Sequence, residues 1–293
     1  MKQLRMDGFE PTEQEIIDDL LAKPLEDKIK HSIKLLKTFE SGALNRDPDN
    51  GFQFGFSGGK DSVVCKQLLI EAGVKYKASY NYTTIDPPEL VSFIKEHHPE
   101  VEWNIQEDKG HLILDRMVEK MSMPTRLGKW CCSEYKDCCS KSETIGVVGV
   151  RIEESARRAG MWKEFTKHSK TGRYILAPIC YWTQDDVWNY IKDRNLPYCS
   201  LYDEGWDRLG CVGCPINPKS QKKEFERYPE YKEMWMEGCR RMWEKAQTER
   251  KKDGTMYAVG KFESPEALFE WWVTGKKGDE EPNCVFEEMM ENK

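Results

Sequence analysis

Residues 51–62, with the sequence GFQFGFSGGKDS, constrain the fold of this chain more than any other stretch. Phe52, Phe54 and Phe56 alternate with a glutamine and a glycine, a pattern typical of a short buried strand. A helical pattern of apolar residues begins at Val63, directly after the glycine turn. A strand, a tight turn and a helix start in this order favour an anion site, because the first N–H groups of a helix have no partner within the helix.

The residues of the turn supply groups that bind a phosphate. The glycines let the backbone approach a ligand closely, and Lys60 adds a positive charge that can follow a phosphate during reaction. Asp61 can cap backbone N–H groups or hold a phosphate-bound Mg²⁺. The spacing of the Walker loop is absent, so this turn is not a Walker loop. The alternative to a diphosphate-binding site is a strand-to-helix turn that binds no ligand. The predicted binding residues are Ser57, Gly58, Gly59, Lys60, Asp61 and Ser62.

Strand-like and helix-like segments alternate after this turn. The alternation predicts an α/β fold with a parallel twisted sheet and helices on both faces. We expect helices within residues 9–40 and a loop from Ser41 to Asn50 that enters the first strand. Further strands are expected within residues 74–82, 101–105, 144–150 and 174–179.

Composition excludes several classes of protein. No stretch of eighteen apolar residues is present, so no membrane span is expected, and the mean hydropathy is −0.75. The first residues, MKQLRMDGFEPTEQE, lack the apolar run of a secretion signal, which makes the cytoplasm the expected location. A net charge of −6 argues against indiscriminate binding to nucleic-acid backbones.

Eleven cysteines in a chain of this kind favour metal or redox chemistry over a disulfide framework. An adjacent pair near residue 131 and a distant C-x-x-C provide four thiolates, which can hold zinc or a cubane iron–sulfur cluster. An adjacent pair is awkward for one tetrahedral ion, whereas a cubane can take neighbouring cysteines on two of its irons. Zinc and four buried thiols remain the alternatives. The predicted ligands are Cys131, Cys132, Cys211 and Cys214, with Cys138 and Cys139 as a second adjacent pair that leaves the choice open.

Two of these motifs carry a resemblance to known families. SGGKDS after an apolar strand resembles the PP-loop of the adenine nucleotide α-hydrolase superfamily, whose members bind ATP and cleave between its α and β phosphates. The adjacent cysteines, Lys136 and the C-x-x-C resemble the iron–sulfur subgroup of the phosphoadenosine phosphosulfate reductase family. The resemblance covers about residues 50–218 and implies a 4Fe–4S cluster, with Lys136 as a charge partner of cluster sulfurs or of a substrate sulfate.

The resemblance also implies contacts with an adenine nucleotide, either ATP or a sulfonucleotide. Arg151 and Arg157 lie in a segment similar to the family's strand-end arginine motif, and an arginine can pair two anionic oxygens with its planar fork. Thr83 and Asp86 follow the second strand, where family members contact the nucleotide. The expected catalytic residues are Lys60, Asp61, Arg151 and Arg157.

Two departures separate the chain from true sulfonucleotide reductases. The family's C-terminal Glu-Cys-Gly-x-His tail, which carries the catalytic cysteine, is absent, and neither Cys239 nor Cys284 matches it. The intact SGGKDS instead resembles the ATP-using branch. We therefore predict an ATP pyrophosphatase that adenylates an acceptor, prepares it for substitution by sulfur and releases pyrophosphate, with Mg²⁺ on the phosphates.

Two alternatives stay open. One is a sulfonucleotide reductase with Cys284 or Cys239 as its nucleophile, and the other is a non-catalytic nucleotide- or redox-sensing module of a defence or modification complex. The acceptor could be a tRNA, DNA or a small molecule, and a sulfur- or electron-donor protein is a further expected partner. The aromatic-rich ends of the chain suggest a homo-oligomer.

Three regions are predicted along the chain. Residues 1–50 form a helical extension, residues 51–218 form the PP-loop nucleotide-binding and iron–sulfur domain, and residues 219–293 form a helical accessory region. In the last region, aromatic residues and methionines between Phe225 and Trp243 recur at helical spacing, which predicts a core rather than a cofactor site.

Overall fold

The computed structural model describes residues 12–105, 112–136, 144–168 and 172–275. These residues divide into two compact units, each described separately below. Unit 1 comprises the described residues within Met1–Tyr80, Ser92–Trp103 and Ser140–Leu209, and unit 2 those within Asn81–Val91, Asn104–Cys139 and Gly210–Lys293. The three regions predicted from the sequence stay a prediction.

The described chain contains helices, strands and short helical turns in alternation. The strands are β1 Phe52–Gly55, β2 Tyr76–Asn81, β3 Glu102–Asn104, β4 Ile145–Val147, β5 Phe165–Lys167 and β6 Tyr174–Leu176. The α-helices are α1 Glu13–Ala22, α2 Leu25–Arg46, α3 Lys60–Ala72, α4 Pro88–His97, α5 Ile113–Lys120, α6 Ala156–Ala159, α7 Gln184–Asp193, α8 Pro218–Arg227, α9 Pro229–Thr248 and α10 Pro265–Thr274. The short turns are a π-helix at Cys132–Lys136 and 3₁₀ helices at Ile152–Glu154, Ser200–Tyr202 and Ala258–Lys261.

The six strands form one sheet in the order β3-β2-β1-β4-β6-β5. β1 pairs in parallel with β2 and β4, and β4 pairs in parallel with β6. The predicted α/β fold with a mostly parallel, helix-flanked sheet is therefore confirmed. The prediction omitted β5, which pairs antiparallel with β6 at the edge. The sequence around it, KEFTKH at residues 163–168, holds a single apolar residue and therefore shows no strand pattern.

The first predicted strand lies at the centre of the sheet. Phe52, Phe54 and Phe56 are 0, 1 and 2 % exposed, as expected for a strand covered on both faces. The loop predicted from Ser41 is wrong as far as Arg46, because α2 continues there. Tertiary packing explains the difference: Ala43 is fully buried, and α2 packs against β1 and β4 at this point.

Unit 2 is built mainly from helices. α5, α8 and α10 pack against α9, and the indole rings of Trp235 and Trp272 lie 4.6 Å apart in the centre of its core. Phe225, Trp235 and Met242 are buried, so the core predicted for this stretch is confirmed. None of the described helices combines the length and the apolar composition that crossing a membrane requires.

A buried lysine–imidazole pair links α3 to the residues after α4 in unit 1. The Lys66 Nζ lies 2.6 Å from His98 Nδ1, and Lys66 also forms an ion pair with Glu100. The imidazole packs edge-on against Phe56 and Phe93. Burial and, second, the charge of Lys66 lower the pKa of His98 to about 4. Between pH 6.5, the ordinary pKa of histidine, and about pH 4, His98 is therefore mostly neutral in the folded protein.

We expect this histidine to make stability depend on pH. Between pH 6.5 and 4 the unfolded chain binds a proton at His98 and the folded chain does not, so the free energy of unfolding falls as the pH is lowered. The slope contributed is at most about 1.4 kcal/mol per pH unit. Urea unfolding across this window should show a flatter pH dependence for His98→Gln, while His97→Gln, at the exposed neighbour, should keep the wild-type slope. Equal slopes for wild type and His98→Gln would contradict the assignment.

Candidate functional site

The loop between β1 and α3 in unit 1 has the shape of an anion site. Gly58 adopts a φ of +73°, a left-handed conformation that favours glycine, and α3 begins after Gly59 without a side-chain cap. The Ser57 hydroxyl lies 3.2 Å from the Ser62 hydroxyl, which donates to the Gly59 carbonyl at 2.8 Å. Both predicted serine donors thus stabilise the loop itself.

A carboxylate joins two cations at the start of α3. Arg151 Nε lies 2.6 Å from one oxygen of Asp61, and Lys60 Nζ lies 3.2 Å from the other. The Arg151 side chain is only 3 % exposed, and its second partner is Glu153 at 2.6 Å. Burial disfavours the charged guanidinium, but the charges of Asp61 and the two hydrogen-bonded carboxylates outweigh it and raise the pKa of Arg151. The structure therefore brings together Lys60, Asp61 and Arg151, three of the four predicted catalytic residues.

The end of β4 approaches this loop through a glycine. A Cβ atom placed on Gly149 would lie 2.9 Å from the backbone carbonyl carbon and oxygen of Asp61. Only a residue without a side chain fits there without displacing backbone. Gly149 therefore sets how closely the segment that carries Arg151 can lie to the start of α3.

The other predicted nucleotide contacts are placed differently. Arg157 lies in the short helix α6, and its side chain is outside the described part of the chain. Thr83 and Asp86 are buried in unit 2, where the Asp86 carboxylate accepts from both the backbone N–H and the hydroxyl of Thr83 at 2.8 Å. Their predicted role in nucleotide binding stays a prediction.

Two contacts of Lys60 were not predicted from the sequence. Its backbone N–H donates to the Tyr202 hydroxyl at 2.9 Å, and its Nζ donates to the Asp207 backbone carbonyl at 3.4 Å. Tyr202 is 142 positions away in the sequence, so no local motif could have indicated it.

The C-x-x-C segment of unit 2 is fixed by hydrogen bonds to its backbone. Gly213, between the two cysteines, has a φ of +75°, and its N–H donates to Glu224 of α8 at 2.6 Å. The Gly213 carbonyl accepts from Gln221, and the Val212 carbonyl accepts from the indole N–H of Trp235 at 3.1 Å. A Cβ on Gly213 would lie 2.7 Å from the Phe225 and Trp235 rings, so this turn also requires a glycine.

The thiols of the two cysteine motifs influence one another. A hydrogen bond with Cys132 raises the pKa of Cys131 most, followed by burial and by the charges of Cys132, Cys211 and Cys214. Burial raises the pKa of Cys211 to about 11. Such thiols ionise far more readily when a metal replaces the proton. All four predicted ligands thus enter the pKa shift of Cys131, and all four belong to unit 2.

Polar groups surround Cys211 in particular. Its sulfur lies 3.3 Å from the Thr83 hydroxyl and 4.0 Å from an Asp86 oxygen. The charge of a Cys211 thiolate is the largest cause that raises the pKa of Lys136, with further contributions from Asp86 and Cys132 that outweigh the cost of burying the ammonium group. Because a protonated Cys211 carries no charge, this attraction develops fully only when Cys211 is a thiolate.

A compact site for a single metal ion is not found among the described residues: no group of three or more His, Cys, Asp and Glu is arranged to hold one. Cys131, Cys132, Cys211 and Cys214 are not in disulfides. Cys138, Cys139 and Cys284 lie outside the described residues.

A mostly parallel α/β sheet with a glycine turn and a helix start after its central strand is an arrangement that commonly binds phosphate groups. The chain matches the phosphoadenosine phosphosulfate reductase domain over residues 52–217, more than half of its length, and it belongs to that family. The predicted family is therefore confirmed. Its iron–sulfur subgroup remains a prediction.

Individual relatives are more distant. An uncharacterised protein of Methanocaldococcus jannaschii is 27% identical over 78% of this chain and 57% of its own length. An adenosine 5'-phosphosulfate reductase of Staphylococcus haemolyticus is 30% identical over 43% of this chain and 53% of its own length. The chain thus spans about half the length of these curated relatives. A Candida auris phosphoadenylyl-sulfate reductase, solved as a phosphate complex, has a TM-score of 0.47 at 14% identity, over 69% of this chain and 97% of its own.

The close approach at Gly149 can be tested directly. Gly149→Ala should lower the free energy of unfolding by about 1–3 kcal/mol, because the added methyl group forces backbone apart. Gly55→Ala at the end of β1 is the matched control, since a Cβ there meets nothing within 4 Å. It should change stability by no more than about 0.5 kcal/mol. Equal urea unfolding midpoints for the two variants would show that the approach is looser than described.

Proposed function

We propose that this chain binds ATP at the PP-loop formed by residues 57–62 and cleaves the bond between its α and β phosphates, transferring AMP to an acceptor. The observation that carries the proposal is the pair of cations, Lys60 and Arg151, held on either side of Asp61 at an uncapped helix start. An anion placed there meets helix N–H groups and the Lys60 ammonium together. The relatives supply the adenine-nucleotide class of ligand, since several are named as adenosine 5'-phosphosulfate reductases.

The residues at the loop stabilise charge rather than transfer protons. Lys60 and the N–H groups at the start of α3 balance the negative charge that develops on departing pyrophosphate. Arg151 adds a second positive centre, and Asp61 orients both cations. Positioning of the acceptor in line with the leaving group, together with charge stabilisation, can carry adenylyl transfer. We therefore assign no general base.

Asp61 is the residue that the sequence suggested for holding Mg²⁺, directly or through water, and this stays a prediction. Each of its carboxylate oxygens has a cationic partner, Arg151 or Lys60, with which a directly bound metal ion would compete. No step is therefore assigned to a metal bound by Asp61.

We also propose that Cys131, Cys132, Cys211 and Cys214 hold a 4Fe–4S cluster. A hydrogen bond with Cys132, burial and the charges of the other three cysteines together raise the pKa of Cys131, which fits the all-cysteine ligand set of such clusters. When bound, the cluster supplies one-electron redox chemistry or a structural link. This chain's own residues fix the C-x-x-C turn through Glu224 and place Lys136 to balance thiolate charge.

A sulfonucleotide reductase is the second candidate, because several relatives carry that activity in their names. That reaction needs a reactive thiolate. Cys239 is fully buried, and burial raises the pKa of its thiol to about 12, so it is a poor nucleophile as placed. This candidate therefore depends on Cys284.

The ATP reaction is tested with a loop variant. Lys60→Ala should weaken ATP binding and lower the release of AMP and pyrophosphate by about 100-fold or more, the usual cost of losing one transition-state donor. Lys77→Ala, on the exposed part of β2, should leave both unchanged. Assays should offer tRNA, DNA and small-molecule acceptors in parallel. Sulfite release from a sulfonucleotide with a thiol reductant, abolished by Cys284→Ser, would support the reductase instead; ATP binding without turnover would support a sensing module.

The cluster is tested by metal analysis after anaerobic purification. We expect about four iron and four sulfide per chain with broad visible absorption. Cys132→Ser and Cys211→Ser should lose most of the iron, and Cys180→Ala, at a buried cysteine of unit 1, should retain it. A colourless, zinc-loaded wild-type protein would reject the cluster without affecting the ATP proposal.

A further inference from the structure

One short segment of unit 1 accepts hydrogen bonds from both the backbone N–H and the ammonium group of Lys60, the two donors that a phosphate would use. The Tyr202 hydroxyl accepts from the Lys60 backbone N–H at 2.9 Å, and the Asp207 carbonyl accepts from its Nζ at 3.4 Å. Both acceptors are neutral oxygens, and both come from residues 202–207. The remaining partner of the Nζ, Asp61, belongs to the loop itself.

The Tyr202 oxygen lies where a ligand oxygen is expected. Lys60 is the first residue of α3, so its N–H is one of the helix-start donors that have no partner within the helix. The phenol oxygen lies over the loop, since a Cβ on Gly59 would come within 3.4 Å of it. The Lys60 Nζ also lies 5.6 Å from the centre of the Tyr202 ring.

Aromatic neighbours hold Tyr202 in this position. Its ring meets Trp188 of α7 edge-on at 5.1 Å, and Tyr198 meets the same indole at 5.3 Å. The Tyr198 hydroxyl, in contrast, donates to Asp203 and not to the loop. Two tyrosines therefore lie in one aromatic cluster. The Tyr202 hydroxyl accepts a hydrogen bond from Lys60, whereas the Tyr198 hydroxyl donates one to Asp203.

We propose that residues 202–207 act as an internal substitute for phosphate, in which the Tyr202 hydroxyl and the Asp207 carbonyl hold Lys60 until nucleotide phosphate oxygens replace them. This inference rests on the proposed function, because it takes a nucleotide phosphate as the competing ligand. It adds Tyr202 to the binding site as a residue that sets nucleotide affinity.

The exchange is favourable for an anion. Hydrogen bonds to a charged phosphate oxygen are roughly twice as strong as those to a neutral hydroxyl or carbonyl. Burial raises the pKa of Tyr202, so the phenol remains neutral and competes only as a neutral acceptor. In the free protein, residues 202–207 therefore provide hydrogen-bond acceptors for Lys60, and a phosphate can replace them. Breaking these hydrogen bonds reduces the net free energy of nucleotide binding.

Removing the hydroxyl should consequently tighten nucleotide binding. Tyr202→Phe keeps the ring and its contact with Trp188 but leaves the Lys60 N–H without this acceptor in the free protein. We expect the dissociation constant for ATP, measured by titration calorimetry, to fall about two- to tenfold, the usual range for one net hydrogen bond. Tyr198→Phe, the matched control, should leave it unchanged.

A spectroscopic measurement follows the Lys60 N–H itself. The dipeptide Gly–Lys occurs four times in the chain, before Lys60, Lys129, Lys261 and Lys276. With ¹³C-carbonyl glycine and ¹⁵N-lysine, only these four amides give carbonyl-correlated NMR signals, and Lys60→Arg identifies the one from Lys60. Tyr202→Phe should shift this signal in the free protein, Tyr198→Phe should not, and ATP should shift it in the wild type.

The outcomes separate this inference from the proposed function. If ATP neither binds nor shifts the Lys60 signal, and Lys60→Ala changes nothing, the nucleotide site itself is wrong. If ATP binds and shifts the signal but Tyr202→Phe leaves the affinity and the free-state signal unchanged, the substitute is rejected and the nucleotide site stands. Weaker ATP binding by Tyr202→Phe would also overturn the substitute, since it would mean that the hydroxyl contacts the bound nucleotide.

Discussion

The loop site depends on the two ion pairs that the Asp61 carboxylate forms with Lys60 and Arg151. The carboxylate stands between two cations whose side chains are almost entirely buried, and a buried charge without a partner is strongly unfavourable. Arg151 follows β4 and Lys60 follows β1, two parallel neighbours whose carboxyl ends share one edge of the sheet. The ion pairs therefore join the segments after two central strands. The absence of a side chain at Gly149 lets those segments come close enough to pair.

The cysteine group depends on a different kind of constraint. The carbonyl and amide groups of the C-x-x-C turn are bound by Glu224, Gln221 and Trp235, so the turn is held by α8 and α9 rather than by its own thiols. The adjacent cysteines, in contrast, lie at a π-helical turn, an irregular geometry that often marks functional sites. One half of the predicted ligand set is thus fixed by the core of unit 2, and the other half lies on a short irregular element.

The sequence predicted those features that local patterns determine. The alternating phenylalanines gave the central strand, and the neighbouring Lys60 and Asp61 stand together because they are adjacent in a motif. Long-range contacts had no such signal. Tyr202 reaches Lys60 across 142 positions, and α2 extends to Arg46 only because its last turns pack on the sheet. Thr83 and Asp86 were predicted from resemblance as nucleotide contacts, and no sequence pattern indicated that they lie beside Cys211.

The two candidate reactions differ in what they require from the chain, and this difference favours adenylyl transfer. A reductase needs a thiolate that can attack sulfur, yet burial raises the pKa of Cys65, Cys180 and Cys239, which therefore remain protonated thiols at neutral pH. Adenylyl transfer needs positive charge placed at a helix start, and Lys60 and Arg151 lie there on either side of Asp61. The described residues thus hold the charges for adenylyl transfer, whereas the described cysteines other than the four proposed cluster ligands are all buried.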